Sequence, residues 1–578
     1  MLKYKTILPF LDWMSSYKKN DIKGDISAGL TVGIMLIPQG MAYAMIAGLP
    51  PIYGLYASTI PLILYGLFGS SRQLAVGPVA MVSLLTAASV GALATTGTEE
   101  YIVLAASLAL LSGIILWVLG ILRMGFVVNF LSHPVISGFT SAAALIIGMS
   151  QLKHLLGISL GDSHHIYTIL WESVEKWKSI NPFALTIGLT GIFIIKYSKK
   201  IHRTFPGALV AVIVGTLAGY FMVKSGLQIG IVGEVPKGFP KFVIPDFNMD
   251  IITTLLPSAL AISLVGFMES IAVARSVQAR HKNYKVVPNQ ELTALGLANI
   301  GTSLFQGFPV TGGFSRTAVN DQAGARTGLA SVISAVLILL TLLFLTGLFY
   351  YLPKSILAAV IMVAVFGLID TKEPQNLWKT DKNDFFMLII TFIVTLVFGI
   401  EQGIAAGVLL SLLVIIYKTS KPHYAVLGRV KGTSFFRNVK RFDDLEVRRD
   451  TLLIRFDADL YYANVEFFLN MIETEKDKKG EDLKYIILNA ESISTVDSSG
   501  VHALENLVKD LQSNGILLLM VNVKGPVRDV LNRCQFFENT GFERFFLSTL
   551  AAIDFIEHRD IGKDHFIMAR QSGLKNDS

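Results

Sequence analysis

A carboxylate, a guanidinium and an amide inside otherwise apolar stretches are the first residues in this chain that could do chemistry. Glu269 stands in Val265-Gly266-Phe267-Met268-Glu269-Ser270, Arg316 follows Ser315 in Gly313-Phe314-Ser315-Arg316-Thr317-Ala318, and Gln39 lies in Ile37-Pro38-Gln39-Gly40-Met41-Ala42-Tyr43. An ionisable side chain in hydrocarbon is costly and marks a functional candidate. A carboxyl group desolvated by apolar neighbours can carry a proton. A fixed cation draws an anion, or it pairs with the carboxylate; a structural Glu269–Arg316 or Glu269–Arg275 ion pair is the alternative. A sodium site beside Glu269 would need several oxygens, and Val273, one turn on, offers none, so a proton is favoured over sodium as the coupled ion. Pro38 is expected to break its helix at mid-span. Gln39 and Tyr43 are four residues apart and share a helix face. They would line a cavity, unless Gln39 serves as an ordinary hydrogen bond between helices.

Two irregular segments form a matched pair. Gln73-Leu-Ala-Val-Gly77-Pro78-Val79-Ala80-Met and Gly307-Phe-Pro309-Val-Thr311-Gly312-Gly313-Phe-Ser315-Arg316-Thr317-Ala318 each run from a short extended stretch through Gly/Pro breakers into small residues that open a helix. Pro78 suits the first turn of such a helix, where its missing N–H costs nothing. Helix starts inside a membrane leave N–H groups unpaired and present a positive dipole end. An anion is the natural partner of two such ends. The other reading of each segment is an ordinary turn between spans.

The elements that must position these residues follow from composition. The chain has 578 residues, of which 52% are hydrophobic and 16% charged, with a mean hydropathy of +0.55. That is too little charge to cover a soluble protein of this size. Aliphatic runs of about 20 residues, each able to cross a bilayer, recur to about residue 420, after which charge returns. Four parts result: a cytoplasmic N-terminal segment 1–24, a transmembrane domain 25–420, a cytoplasmic domain 422–560 and a tail 561–578. No signal peptide is read at the N-terminus; residues 7–14 suggest a short helix at the membrane surface. Cys534 is the only cysteine, so no intrachain disulfide can form.

Spans are expected at 27–47, 52–69, 78–95, 102–121, 130–150, 182–198 and 206–224, then at 251–274, 291–304, 314–323, 327–350, 354–369, 384–399 and 402–419. Fourteen spans in two halves of seven, about 25–224 and 251–420, reverse the second half and predict an inverted repeat with a site at the midplane. The net charge of +7 is spread over short connections, as the positive-inside rule requires, and not gathered to bind nucleic acid. Arg72, Arg123, the Lys196–Arg203 and Arg275–Lys285 stretches and Lys418–Lys421 fall on the face of the N-terminus, while Asp162, His164, His165 and Glu234 fall on the other. Both termini are therefore expected in the cytoplasm.

Beyond 422 the pattern alternates. Strands are predicted at 451–456, 483–489 and 516–522, with helices near 464–477, 499–513 and 526–536, which makes an α/β domain with a mostly parallel sheet. Val501, Leu504, Val508 and Leu511 share one face of the second helix, and Asp497-Ser498-Ser499-Gly500 suits its N-cap. No Walker, HExxH or CxxC motif occurs anywhere, so an enzyme is not expected, and no cofactor or metal site is read. Uphill transport would draw on an ion gradient or on exchange.

The stretches Gly24-Asp25 to Tyr43, Gly48-Leu-Pro50-Pro51-Ile-Tyr53-Gly54-Leu55-Tyr56, Gly69-Ser-Ser-Arg-Gln-Leu-Ala-Val-Gly77-Pro78 and Gly313 to Asn320 resemble the sulfate permease (SulP) family of anion transporters, over nearly the whole chain. The resemblance implies a seven-plus-seven inverted repeat in which a core domain moves against a gate domain like an elevator. It places the anion between the third and tenth helices, against Gln39, Tyr43, Val79, Ala80, Ser315 and Arg316. It assigns ion coupling to Glu269, and the Glu269 and Val273 pair departs from sodium-coupled members. The C-terminal part resembles a STAS domain, whose phosphorylation loop corresponds to Ser498 and Ser499, although a helix cap alone would explain these serines. The expectation is secondary transport of a small anion of the sulfate, bicarbonate, chloride or dicarboxylate class across the plasma (inner) membrane, by proton symport or exchange. A homodimer and a cytoplasmic regulator bound to the STAS domain are the expected protein partners. Alternatives are a sodium-coupled bicarbonate transporter, a nucleobase permease of the same general fold, or a non-transporting, anion-responsive regulatory membrane protein.

Overall fold

Backbone in hydrocarbon can bond only to itself, and the aliphatic runs accordingly fold as helices. In the computed structural model the described residues are 9–15, 17–126, 132–159, 166–201, 207–245, 248–281, 284–367, 369–541 and 544–558. Contacts divide the chain into two units, Met1–Ser411 and Leu412–Ser578. Asp162, His164, His165, Arg203, the tail 561–578 and the start of the surface helix expected at 7–14 lie outside the described residues; a short helix is present at Phe10–Ser15.

Each expected span contains a helix. The first half holds α1 (Lys19–Ile46), α2 (Ile60–Phe68), α3 (Ala80–Gly91), α4 (Glu99–Ile121), α5 (His133–Ser150), α6 (Pro182–Ile201) and α7 (Gly207–Lys224). The second holds α8 (Met249–Gln278), α9 (Pro288–Leu304), α10 (Phe314–Gln322), α11 (Leu329–Leu340), α12 (Lys354–Phe366), α13 (Lys382–Phe398) and α14 (Ile400–Ser420). The break expected at Pro38 does not occur: α1 continues through it for 28 residues. Proline removes one backbone bond, and the dense packing of α1 on α11 holds the helix across the gap. The span expected at 52–69 is instead two pieces, Pro51–Tyr56 and α2, because each begins with a proline in its first turn. Short amphipathic helices at Ile166–Glu175 and Glu373–Thr380 were not expected.

The helices pack in two groups. In one, α9 packs on α4 and α2, α8 on α4, and α11 on α1 and α2; in the other, α5 packs on α12 and α13, and α6 on α7 and α12, with α7 and α12 also reaching α1. Asp25 ties α1 to the connection after α10: its carboxylate accepts from the backbone N–H groups of Arg326 (2.7 Å) and Thr327 (3.0 Å) and from the Thr327 hydroxyl (2.6 Å). Two strands of two residues each, β1 (Val76–Gly77) and β2 (Thr311–Gly312), pair antiparallel, with Val76 opposite Gly312 and Gly77 opposite Thr311. The helices that follow them are short. Twelve residues in α3 and nine in α10 reach only ~18 and ~14 Å, about half a hydrocarbon core.

The second unit is an α/β domain. Its sheet runs β4 (Phe436–Asn438), β3 (Tyr424–Val430), β6 (Thr451–Phe456), β7 (Tyr485–Asn489), β8 (Leu517–Val521), β9 (Phe545–Phe546), with β5 (Leu445–Glu446) on β3. From β6 to β9 the pairing is parallel, and β3 to β5 add an antiparallel edge. Covering helices are α15 (Val465–Lys479), α16 (Ser498–Ser513), α17 (Gly525–Arg533) and α18 (Thr549–His558). Val501, Leu504, Val508 and Leu511 are buried on α16.

Candidate functional site

The pairing of β1 with β2 brings the two breaker segments together, although more than 230 residues separate them in the chain. Side chains from three helices, α8, α9 and α10, hold the pair. Thr311 donates to the Gly266 carbonyl (2.6 Å), Ser270 accepts from the Gly312 N–H (2.8 Å) and lies 2.7 Å from the Thr311 hydroxyl. Asn299 on α9 bonds both backbone groups of Val310, each at 2.9 Å. Thr317 accepts from Ala75 N–H (3.1 Å), and Asn320 donates to the Gln73 carbonyl (2.8 Å). Extended backbone at membrane depth needs such partners, because water is not there to supply them.

Helices α3 and α10 both start beside this bridge, with N-caps Val79 and Gly313 that make no side-chain cap bond. Pro78 therefore stands two residues ahead of α3 and not in its first turn, and its carbonyl accepts from Arg316 Nη1. Arg316 is 2% exposed. Its Nε and Nη2 have no hydrogen-bond partner, nor does Glu269 Oε2. The ion pairs considered between Glu269 and Arg316 or Arg275 are absent among the described residues; Arg275 is exposed. The reason is geometric: the β1–β2 bridge presents the Pro78 carbonyl to the guanidinium first.

A cavity of about 450 Å³ receives both helix starts. Gln39, Tyr43, Val79, Ala80, Ser315, Arg316 and Glu269 all line it. Gln39 is buried with Oε1 unpartnered, so its amide carbonyl is not engaged in a bond between helices. Glu269 also lines an adjoining apolar cavity of about 220 Å³, between α8, α5 and α10. Opposite the two helix starts, the first cavity is walled by Ile195 and Ser198 of α6, Gly207 and Ala208 of α7, and the Val360–Gly367 end of α12. Those helix ends carry the connections assigned to the N-terminal face. Sequence reasoning missed this wall, whose small and aliphatic residues look like any other span. It also missed the bridge residues Ser270, Asn299 and Asn320, polar positions within apolar spans that could have been noticed.

In the α/β domain Asp497 caps α16: Oδ1 accepts from Gly500 N–H (2.8 Å) and Oδ2 from Tyr462 N–H (3.0 Å). Ser498 is exposed at the helix start and Ser499 half-buried beside it.

Fourteen helices in an inverted repeat, two half-helices meeting at one cationic cavity and a C-terminal STAS domain define a membrane anion transporter. The sulfate permease family profile matches residues 22–391 and the STAS profile residues 444–552. The chain belongs to the sulfate permease family. It is 38% identical over 594 residues to sulfate transporter 4.1, chloroplastic, of Arabidopsis thaliana, covering 98% of this chain and 86% of that protein. It is 39% identical over 601 residues to the probable sulfate transporter 4.2 of the same plant, covering 99% and 87%. The solved structure of murine Solute Carrier 26 family member A9, an anion transporter in the inward-facing state, superposes with a TM-score of 0.88 at 28% identity, over 95% of this chain and 94% of that one.

Proposed function

We propose that this protein carries sulfate, or a small anion of similar charge and size, across the plasma membrane by an elevator-like motion of the α1–α4 and α8–α11 core against the α5–α7 and α12–α14 gate. The observation that carries this reading is the convergence of two uncapped helix starts and the buried Arg316 on one cavity. Helix starts and a guanidinium recognise negative charge. The Gln39 amide and the Tyr43 and Ser315 hydroxyls would complete the anion's shell. A neutral base would leave the buried guanidinium unpaired.

Cavity position supports a form open to the N-terminal face, which the distribution of Lys and Arg assigns to the cytoplasm together with both termini and the STAS domain. Glu269 borders the anion cavity with an unpartnered oxygen and acts in this proposal as the proton carrier: an anion and a proton that share one cavity move with less net charge. Two relatives named as sulfate transporters support sulfate over the other anions. The proposed domain limits are 1–24, 25–420, 422–560 and 561–578; the proposed assembly is a homodimer. Ser498 and Ser499 are the proposed phosphorylation positions of the STAS domain, with a cytoplasmic regulator as its partner.

Uptake by proteoliposomes containing the full chain tests the reading. Radiolabelled sulfate, bicarbonate, chloride, a dicarboxylate and uracil are offered with imposed proton or sodium gradients. Saturable anion uptake driven by an inward proton gradient is expected. Uptake of uracil without any anion would overturn the reading, and sodium-driven bicarbonate uptake would replace the coupling assignment.

A further inference from the structure

The outer edge of the STAS sheet carries charge and apolar surface that its fold does not use. β4 is the last strand on that side and pairs with β3, antiparallel, with Leu427 opposite Asn438 and Arg429 opposite Phe436. Alternation along the strand turns Phe436 toward the apolar cluster that includes α18, and its neighbours Phe435 and Arg437 away from it. Phe435 is 63% exposed, and Phe442, in the turn after β4, is 52% exposed. From Lys431 to Phe442 the chain has four cations, Lys431, Arg437, Lys440 and Arg441, and no carboxylate. All four are exposed, and none makes an ion pair among the described residues. Acidic residues return with Asp443 and Asp444, on the way to β5.

Backbone bonds fix both turns. The Val430 N–H donates to the Phe435 carbonyl (2.9 Å), and the N–H groups of Arg441 and Phe442 both donate to the Asn438 carbonyl (3.0 and 3.2 Å). Cations on an edge strand keep other strands from pairing with it. That role needs no phenylalanine, yet two stand exposed among these four charges.

The chain connection shows how close this edge lies to the end of a span. The second unit begins at Leu412, inside α14, so the end of that helix and the sheet belong to one unit. Lys421, Pro422 and His423 alone lead from α14 to β3, a reach of about 14 Å at most. β4 then runs back toward the start of β3. The Val439 N–H donates to the Val426 carbonyl (3.1 Å), which brings Lys440, Arg441 and Phe442 beside the tethered end.

We propose that this edge docks on the bilayer surface from which α14 emerges, its four cations against anionic headgroups and Phe435 and Phe442 in the interfacial layer. Clusters of Lys and Arg just beyond a span are drawn to anionic lipid, and the attraction falls off within a Debye length. Exposed aromatic rings add apolar contact at the same depth. The same edge of a second copy would bring like charges together, which favours lipid as the occupant. Docking makes the placement of the STAS domain depend on lipid charge, whichever anion is carried.

Hydrogen–deuterium exchange of the full chain in nanodiscs tests this, with phosphatidylcholine alone or with about one-third phosphatidylserine. Amides of residues 431–442 are expected to exchange roughly three-fold slower or more in the anionic discs. Salt at about 0.5 M should abolish the difference. K431Q/R437Q/K440Q/R441Q and F435S/F442S should each reduce the slowing, while unchanged protection of β6 to β8 reports that the domain is folded. Equal exchange in the two kinds of disc would overturn the proposal; if both are slow, a protein surface such as a second copy covers the edge instead. Slowing that ignores salt and survives in the glutamine variant would overturn it as well.

Discussion

Arg316 donates through Nη1 to the carbonyl of Pro78, so the first turn of α10 is joined to the residue that leads into α3. One bond thus fixes the cation between the two helix starts, and it leaves Nε and Nη2 available to a guest. A guanidinium held this way is preorganised: the anion need not assemble its own binding charge.

Removing that charge should remove binding. Arg316→Gln is expected to lower the rate of anion uptake at low substrate roughly ten-fold or more, which corresponds to about 1.4 kcal/mol. Arg316→Lys should retain part of it, because an ammonium keeps the charge and loses the fork. Concentration-dependent uptake in proteoliposomes distinguishes the three proteins. Equal half-saturation in wild type and glutamine variant would remove Arg316 from the site.

Glu269 makes a different prediction, since it shares the cavity without pairing to Arg316. Glu269→Gln keeps the shape and cannot release a proton. Accumulation driven by a proton gradient should disappear, while exchange of labelled for unlabelled anion at equal pH continues. Accumulation as strong as in wild type would exclude this carboxylate as the proton carrier.

The bridge beneath the site depends on Asn299. Asn299→Ala would strip both backbone groups of Val310 of their partners, at a cost of about 1–3 kcal/mol for each group left unpaired in the interior. A fall in the melting temperature of the purified protein, with transport reduced further than the loss of folded protein explains, is the expected outcome.

Close approach of backbones gives a purely steric test. A Cβ at Gly54 would lie 1.8 Å from the Gly40 carbonyl oxygen of α1, which no side-chain rotation can relieve. Gly54→Ala should destabilise the transmembrane unit by about 3 kcal/mol or more, seen as loss of monodisperse protein on gel filtration. Gly97→Ala has open space around its Cβ. It should lose much less, since only its positive φ of 79° opposes the change.

In the STAS domain, Arg448 grips Asp450 with two bonds (3.0 and 3.1 Å) and reaches Glu557 at 2.5 Å. The hydrogen bonds from Arg448 hold the Asp450 carboxyl below its ordinary value against the opposing effect of partial burial. A depressed carboxylate stabilises the fold above its unfolded value of about 4 and loses that contribution as pH falls through its folded value. Arg448→Gln should therefore weaken amide protection of β6 and β7 in the full chain at pH 7, by less than about 1 kcal/mol because the pair is about a third exposed and screened by water. The difference should shrink as pH falls below about 4. A difference that does not change with pH would place the effect in packing instead.

The sequence by itself determined what is local. Runs of about 20 apolar residues set the spans, their odd number in each half set the inversion, Gly and Pro in two segments marked where helices start at mid-membrane, and strand–helix alternation marked the STAS domain. Even the seven residues assigned to the site came from short motifs, and all seven line one cavity. Tertiary structure decided what depends on partners far away in the chain. It joined β1 to β2 across more than 230 residues, gave Arg316 the Pro78 carbonyl instead of Glu269, carried α1 straight through Pro38, and built the cavity's other wall from small residues of α6, α7 and α12. It also placed the β3–β5 edge, in which β4 and β5 have only three and two residues. Hydropathy and breakers report whether a residue leaves water and whether a helix can continue. Which buried group satisfies which is settled only when the helices pack, because desolvated polar atoms take the nearest partner the fold presents.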